Sequence, residues 1–307
     1  MRNALIRALC EQADGDDRVF LVTGDLGWSV VEPFAERHAD RFLNAGVAEQ
    51  NMVGLATGLA QAGFVPFVYS IATFASMRAY EQIRNGPVVH GLPVRIVGIG
   101  GGFAYGPGGA THFALEDLCI MRCQPALTVI APADPAQTLS VLRAIRDVRG
   151  PVYLRIGKGG NREVPNLDGR FALGRPEVVR AGADVLILAT GAIATAALEA
   201  AAMLAPWGLS VAVAVLAHVP YTTTAALTEL LAGFRAIVTV EEGFVAGGLG
   251  SLVAETIAQR GLAARLRICG VTVPLDGISG SETSMRQRAG LSVESLAQAV
   301  AELSGAR

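Results

Sequence analysis

The chain has 307 residues, of which 51% are hydrophobic and only 17% are charged, and its formal net charge at pH 7 is −2. This length allows two domains, and the near-neutral charge gives no electrostatic reason to expect nucleic-acid binding. No apolar run reaches the roughly 18 residues that a membrane span needs, and the polar stretch after Met1 is not typical of a signal peptide.

The cysteines indicate a reducing compartment. Cys10, Cys119, Cys123 and Cys269 lie in apolar or helical surroundings, and the Cys119–Cys123 pair has no further Cys or His nearby to complete a zinc site. We therefore expect buried, reduced thiols and a cytoplasmic protein. The surplus of apolar residues further indicates that some surface is buried between subunits.

Apolar strands alternate with amphipathic helices along the whole chain, which predicts two doubly wound α/β domains with mainly parallel sheets. Residues 157–180 interrupt this alternation, since they are rich in Gly, Pro and charged residues, and they are assigned to a linker. The predicted domains are residues 1–156 and 181–307. Strands are predicted at 19–26, 42–46, 64–70, 93–100, 127–131 and 152–156, and then at 184–191, 209–216, 236–242 and 265–271.

Glu49 is the most informative single residue. It follows a short predicted strand and a Gly-containing turn, in the first turn of a helix with hardly another polar group after Asn51. A helix that is apolar nearly all round is buried, and its carboxylate is buried with it. The helix N-terminus stabilises such a charge, whereas desolvation disfavours it. A lone Glu in a first turn is ordinarily a dipole-complementing residue, but the apolar surroundings favour a functional carboxylate here.

The stretch "NAGVAEQ" followed by an Ala/Gly-rich helix resembles the pyrimidine-binding domain of transketolases and related thiamine diphosphate enzymes. The resemblance covers essentially the whole chain, including a transketolase-type C-terminal domain. It implies that Glu49 hydrogen-bonds N1′ of the cofactor's aminopyrimidine and so promotes removal of the thiazolium C2 proton. The carbanion chemistry then belongs to the cofactor.

The string "SIATFASMRAYEQIRN" matches a family motif that supplies aromatic rings to the cofactor. On that match Phe74 stacks on the aminopyrimidine, as a ring on a rigid element can. Core packing is the usual fate of a Phe. The family's first aromatic is Ile71 here, so one ring is missing.

His112 ends a glycine-rich loop at the carboxyl end of a predicted strand, where open α/β sheets bind ligands. The resemblance implies that it contacts substrate oxygens, and an imidazole there could shuttle protons near neutral pH. His38, His90 and His218 lie near element ends and are interpreted as ordinary surface or capping groups.

Two polar residues of the family's substrate site are glycines in this chain. A His twelve residues before His112 is Gly100, and the Asp of the family's "GEDG" is Gly108. We expect weaker use of the ordinary transketolase donor, and we expect the vacated space to admit a bulkier or less hydroxylated acceptor.

Other family positions are retained. The resemblance implies that Arg2, Ser29 and Arg155 hold the phosphate of the substrate, a role that suits the planar donor fork of Arg. It also places Asp25 in the cofactor cleft, although helix capping is its ordinary role. Taken singly, each would be an ordinary surface residue.

The family binds the cofactor's diphosphate through Mg²⁺ held by a "GDG" motif, and this sequence has none. Hard Mg²⁺ requires such oxygen ligands. The diphosphate-binding domain, with the magnesium ligands, is therefore expected on a partner subunit.

The sequence is thus interpreted as the C-terminal subunit of a split, thiamine diphosphate-dependent transketolase. We expect an α2β2 heterotetramer, or a homodimer of this chain before the partner binds, with self-association through the pyrimidine-binding and C-terminal domains. It would transfer a two-carbon ketol unit from a ketose to an aldehyde, and we expect the ketose to be phosphorylated. Two alternatives stay open. One is a β-type subunit of another thiamine enzyme, such as a 2-oxo acid dehydrogenase or a deoxyxylulose-phosphate synthase-like protein. The other is a non-catalytic, degenerate paralogue.

Overall fold

The computed structural model describes residues 1–160, 162–272 and 276–305. Two separate sheets, flanked by helices, confirm the predicted α/β architecture. Among these residues, no helix combines the length and the apolar character needed to cross a bilayer.

The first sheet lies in the first half of the chain. Its strands are β1 (Val19–Thr23), β2 (Phe42–Asn44), β3 (Val65–Ile71), β4 (Arg95–Ile99), β5 (Thr128–Ile130) and β6 (Val152–Ile156). They are ordered β2-β1-β3-β4-β6-β5, and every neighbouring pair is parallel. Because parallel strands need crossover connections, helices cover both faces of this sheet.

The helices of this half are α1 (Arg2–Gly15), α2 (Glu32–Arg37), α3 (Glu49–Gln61), α4 (Tyr80–Ile83), α5 (Asp117–Arg122) and α6 (Pro135–Ala144). One face of the sheet packs against α1, α2 and α6 through residues such as Leu5 and Phe34. The other packs against α3, α4 and α5 through residues such as Met52 and Met121.

The second sheet follows the same plan. Its strands are β7 (Glu177–Arg180), β8 (Val185–Ala189), β9 (Val211–Val215), β10 (Ala236–Phe244) and β11 (Arg265–Val271). The order is β11-β10-β8-β9-β7, with only β7 antiparallel to its neighbour. Its helices are α7 (Ala194–Leu204), α8 (Ala225–Ala232), α9 (Leu249–Arg260), α10 (Glu282–Arg288) and α11 (Val293–Ser304).

Two local features differ from the sequence prediction. Strand β7 lies within the predicted linker, so the second sheet begins at Glu177, earlier than the predicted boundary; the domain limits otherwise stay a prediction. The sequence pattern also predicts one helix over residues 74–85, but this helix is interrupted, because π-helical turns at Phe74–Arg78 and Arg84–Val88 flank α4. Such turns insert an extra residue and re-aim side chains, often at functional sites.

The two halves share hydrogen bonds. The segment after β9 extends the edge of the first sheet, since Val219 N donates to Val129 O at 2.9 Å and Ala131 N donates to Ala217 O at 2.8 Å. Near the carboxyl end of β10, Glu242 Oε1 accepts from Phe103 N at 2.9 Å. These bonds bring the carboxyl end of the first sheet against the second domain.

Candidate active site

Glu49 is the first residue of α3, just beyond the carboxyl end of β2. Asn44 shapes this junction, because its Oδ1 accepts from the backbone N–H groups of Asp25 and Gly46, both at 3.0 Å. Gly46 turns the chain with a φ of 72°, which glycine adopts without strain. The Glu49 side chain is 1% exposed, as the sequence predicted. The helix as a whole is not buried, however, since Leu55 is 38% exposed.

Two side chains bind the buried carboxylate. Ser70 Oγ, near the end of β3, donates to Glu49 Oε1 at 2.9 Å. Arg78 Nη1 donates to Glu49 Oε2 at 2.6 Å, and the Arg78 side chain is 42% exposed. A buried charge is costly unless it is paired and hydrogen-bonded. Glu49 therefore relies on a partner that reaches in from the surface.

Arg78 also contacts the ring of Phe74. Its guanidinium carbon lies 4.4 Å from the ring centroid, within the range of a cation–π interaction. Both residues belong to the π-helical turn Phe74–Arg78, which places them on the same side of the chain. The planar guanidinium thus contacts the two groups predicted to hold the aminopyrimidine.

His112 also contacts Phe74. The two ring centroids are 5.3 Å apart in an edge-to-face arrangement. His112 Nδ1 lies 2.8 Å from Thr111 Oγ1, which leaves Nε2 as the ring nitrogen that can meet a substrate. A Cβ at Gly108 would lie 2.8 Å from His112 Cγ, so the absent family Asp leaves no free space here.

Tyr105 extends this arrangement. Its ring centroid is 6.0 Å from that of His112, and Lys158 Nζ lies 4.3 Å from the Tyr105 centroid. The side chains form a continuous series, called here the site row: Glu49, Arg78, Phe74, His112, Tyr105 and Lys158.

Gly100 corrects one expectation from the sequence. It has a φ of 77°, and a Cβ there would lie 2.1 Å from Tyr105 Cε2. The Tyr105 ring therefore occupies the position where a side chain at 100 would begin. The prediction that the two glycines leave space for a bulkier acceptor is therefore wrong. Tyr105 fills the space at Gly100, and His112 fills the space at Gly108.

Asp25 and Ser29 lie in the loop after β1, and both are exposed with left-handed backbone, at φ values of 57° and 64°. Asp25 Oδ1 accepts from Asn44 Nδ2 at 3.1 Å, so it lies near the junction that precedes Glu49. Ser29 N donates to Glu32 Oε1 at 2.7 Å, and Ser29 lines a surface cavity with Arg7. Their predicted binding roles stay predictions.

Arg2 and Arg155 occupy different environments. Arg2 begins α1 and is partly buried. Arg155 is 6% exposed, and its Nη2 donates to the carbonyls of Ala114 at 2.7 Å and Glu242 at 2.6 Å. Within the part of the chain that the structure describes, no hydrogen bond or ion pair joins Arg2, Ser29 and Arg155. The burial of Arg155 counts against its predicted contact with a substrate phosphate.

Arg155 also lies against a buried acid. Its Nε is 3.1 Å from Asp117 Oδ2, which accepts from the Tyr153 hydroxyl at 2.7 Å. Burial raises the pKa of Asp117, and the charge of Arg155 opposes that rise. Burial also raises the pKa of Tyr153 well above its usual value. Asp117 and Tyr153 thus hold the Arg155 side chain at the carboxyl end of β6.

The remaining histidines and cysteines depart from the sequence interpretation. His38 is buried, with its Nδ1 2.9 Å from Arg41 Nη2, although it does cap the C-terminus of α2 as one of the expected roles. His218 is partly buried, and His90 is exposed as expected. Cys10 and Cys269 are buried, but Cys123 is exposed. Residues 1–160, 162–272 and 276–305 contain no group of three or more His, Cys, Asp or Glu side chains that could hold a metal ion.

Sequence reasoning missed four members or neighbours of the site: Ser70, Arg78, Tyr105 and Lys158. For Arg78 a signal existed, since it follows Phe74 by four residues in a predicted helix, a spacing that places two side chains on one face. The sequence offers no comparable signal that links Tyr105 to Gly100.

The fold and the site together define a two-domain α/β protein with a buried carboxylate at the carboxyl edge of its first sheet. Residues 1–163 match the family described as transketolase, pyrimidine binding domain, and residues 174–296 match transketolase, C-terminal domain. The chain belongs to the transketolase family.

Its relatives include proteins of similar length. The chain is 35% identical to the 6-deoxy-6-sulfo-D-fructose transketolase subunit of Clostridium sp. (strain MSTE9), over 99% of this chain and 94% of that protein. It is 31% identical to an apulose-4-phosphate transketolase subunit of Actinobacillus succinogenes, over 92% of this chain and 91% of that protein. A solved structure described as a split gene transketolase, inactive β4 tetramer, is 36% identical, with a TM-score of 0.89 over 99% of this chain and 98% of that one.

Proposed function

We propose that this chain is the C-terminal subunit of a thiamine diphosphate-dependent split transketolase. With a partner subunit, it moves a two-carbon ketol unit from a ketose to an aldehyde acceptor. The observation that carries the proposal is the buried carboxylate of Glu49 beside the ring of Phe74 in a member of this family. Relatives of matching length that are transketolase subunits give further support.

The residues around Glu49 fit the aminopyrimidine of the cofactor. A flat, hydrogen-bonding group fits against both Glu49 and Phe74, since the guanidinium of Arg78 makes both contacts. When bound there, thiamine diphosphate supplies the nucleophilic carbon for ketol transfer. Arg78 must then share or leave this position.

Four side chains of the site have distinct roles in the proposed reaction. Glu49 holds a proton at the ring nitrogen that faces it, and Ser70 keeps the carboxylate oriented through Oε1. Phe74 provides the stacking face. His112 directs Nε2 toward the oxygens of the substrate while Thr111 holds Nδ1.

The described residues contain no group of three or more His, Cys, Asp or Glu side chains that could hold Mg²⁺, an ion that prefers carboxylate oxygens. We therefore place the magnesium ligands on the partner subunit. An α2β2 assembly would also cover exposed apolar side chains, namely Trp28, which is 71% exposed, and Val47, which is 72% exposed.

The experiment is reconstitution of this chain with an N-terminal, diphosphate-binding transketolase subunit from the same source. Titration calorimetry should detect thiamine diphosphate binding with Mg²⁺ for the mixture and none at micromolar levels for this chain alone. Ketol transfer should require both subunits, and light scattering should give a heterotetramer. Micromolar cofactor binding or turnover by the isolated chain would contradict the split-enzyme proposal. Activity with 2-oxo acids but not with ketoses would favour another thiamine enzyme instead.

A further inference from the structure

At the end of the site row away from Glu49, the two missing family residues do not by themselves explain the position of the Tyr105 ring. Tyr105 stands over Gly100, so closely that a Cβ at position 100 would lie 2.1 Å from its ring. The ring also lies beside His112 at 6.0 Å between centroids. An aromatic side chain from the loop thus takes the place next to His112 where the family resemblance implies an imidazole.

Lys158 is held on this ring. It is the only lysine among the 25 basic Lys and Arg residues of the chain, and its Nζ lies 4.3 Å from the Tyr105 centroid. Glu282, on α10, acts on it electrostatically from the second domain. No carboxylate among the described residues lies within ion-pair distance of Lys158.

A second cation acts on the same phenol. Burial raises the pKa of Tyr105, and the charge of Arg2 opposes this rise. Arg2 forms no ion pair in the described part of the chain either, and its Nε is buried without a hydrogen-bond partner. The end of the row at Tyr105 therefore carries one cation on the ring, Lys158, and feels the charge of a second, Arg2.

We propose that Lys158, held on the face of Tyr105, binds the anionic terminus of the substrate and so determines its specificity. This inference rests on the proposed function and names the substrate class: a ketose or aldehyde that ends in a tetrahedral oxyanion, either a phosphate or a sulfonate. Tyr105 is the positioning residue, because its ring carries the ammonium and closes the space above Gly100.

The order of groups along the site row supports this assignment. The reacting end of a substrate would lie near Phe74 and His112, and its far end would reach Tyr105 and Lys158. An ammonium on an aromatic face keeps its outward N–H donors free for an oxyanion. Arg155, which the sequence assigned to the anion, is 6% exposed and its Nη2 donates to two backbone carbonyls, whereas Lys158 is partly exposed.

The first test needs no catalysis. Reductive dimethylation of the reconstituted complex, followed by peptide mass spectrometry, reports on the one lysine of this chain. The probes are glycerol 3-phosphate, 2,3-dihydroxypropane-1-sulfonate and uncharged glycerol, at equal ionic strength. We expect the two anions, or one of them, to slow modification of Lys158 several-fold relative to glycerol, and the better of the two identifies the oxyanion. Equal rates with all three probes would overturn the inference.

The second test measures discrimination. In the reconstituted enzyme, kcat/KM is measured for an anionic donor, fructose 6-phosphate or 6-deoxy-6-sulfofructose, and for uncharged L-erythrulose. The anionic-to-neutral ratio of kcat/KM should fall roughly tenfold in Lys158→Gln, because one charge-assisted hydrogen bond is lost. The same charge change in Arg162→Gln, four residues along the chain and paired with Glu199, serves as the control and should leave the ratio as it is. Tyr105→Phe should keep the ratio, whereas Tyr105→Leu should lower it.

The outcomes separate this inference from the proposed function. A complex that transfers no ketol unit at all contradicts the proposed function, and the dimethylation result then decides the Lys158 inference by itself. An active complex in which Lys158→Gln and Arg162→Gln have the same anionic-to-neutral ratio contradicts the inference and leaves the proposed function standing.

Discussion

Arg78 donates to Glu49 Oε2 at 2.6 Å while its guanidinium covers the ring of Phe74. One surface residue thus neutralises the buried carboxylate and covers the predicted stacking face. Any planar ring that binds between Glu49 and Phe74 competes with this arginine for both contacts.

Arg78→Met should therefore destabilise the chain through Glu49. Removing the partner of a buried charge costs several kcal/mol, but Arg78 is 42% exposed, so we expect a loss of about 1–2 kcal/mol in the free energy of unfolding. In a Glu49→Gln background the same substitution should cost less than half as much, because the neutral amide needs no cation. Urea unfolding of the four proteins gives the coupling energy. Equal costs in both backgrounds would show that the ion pair does not stabilise the chain.

Gly100→Ala tests the close approach of Tyr105. The new Cβ would clash with the ring and also adopt an unfavourable φ of 77°, so we expect a loss of about 2–3 kcal/mol in the free energy of unfolding. Gly91→Ala is the matched control, since Gly91 has a φ of 63° and no atom within 4 Å of the added Cβ. It should lose only the backbone part, about 1 kcal/mol. In a Tyr105→Ala background, Gly100→Ala should cost no more than Gly91→Ala costs in the wild type. An unchanged cost of Gly100→Ala in that background would mean that the Tyr105 ring is not the obstacle.

His218 predicts sensitivity to acid. Burial lowers the pKa of His218 to about 4, against about 6.5 for an ordinary histidine. Between these values the unfolded chain binds more protons than the folded one. The stabilising contribution is therefore complete above about pH 6.5 and is lost as the pH falls toward 4.

Replacing this residue should flatten the acid response. Between pH 7 and pH 4.5, His218→Gln should lose about 1–3 kcal/mol less of its free energy of unfolding than the wild type does. Urea titrations at both pH values measure the difference, with the exposed His90 as the control in His90→Gln. An unchanged pH dependence in His218→Gln would assign the acid sensitivity to other groups.

The sequence predicted those parts of the fold and site that depend on local pattern. The alternation of strands and helices indicated both sheets, and one carboxylate in an apolar helix identified Glu49. The partner of Glu49 could not be found this way. Arg78 lies 29 residues further along the chain, and an Arg on a short helix ordinarily extends into solvent.

Loops and edges escaped the prediction for related reasons. The position of the Tyr105 ring over Gly100 depends on a glycine-rich loop whose conformation has no periodicity to read. Strand β7 is a four-residue antiparallel edge, too short to show alternation within a segment rich in Gly and Pro. The burial of Arg155 depends on Asp117 and on the carbonyl of Glu242, which come from distant parts of the chain.

The central claim is that the Glu49 carboxylate activates thiamine diphosphate in a complex with the partner subunit. The direct measurement is ketol-transfer turnover by the reconstituted complex carrying Glu49→Gln, with Glu36→Gln, an exposed acid on α2, as the control. Removing a proton-transfer group costs about 10²- to 10⁴-fold in rate. The account predicts a loss in that range for Glu49→Gln, with assembly intact by light scattering and Glu36→Gln as active as the wild type. Turnover by Glu49→Gln within a few-fold of the wild type would contradict it.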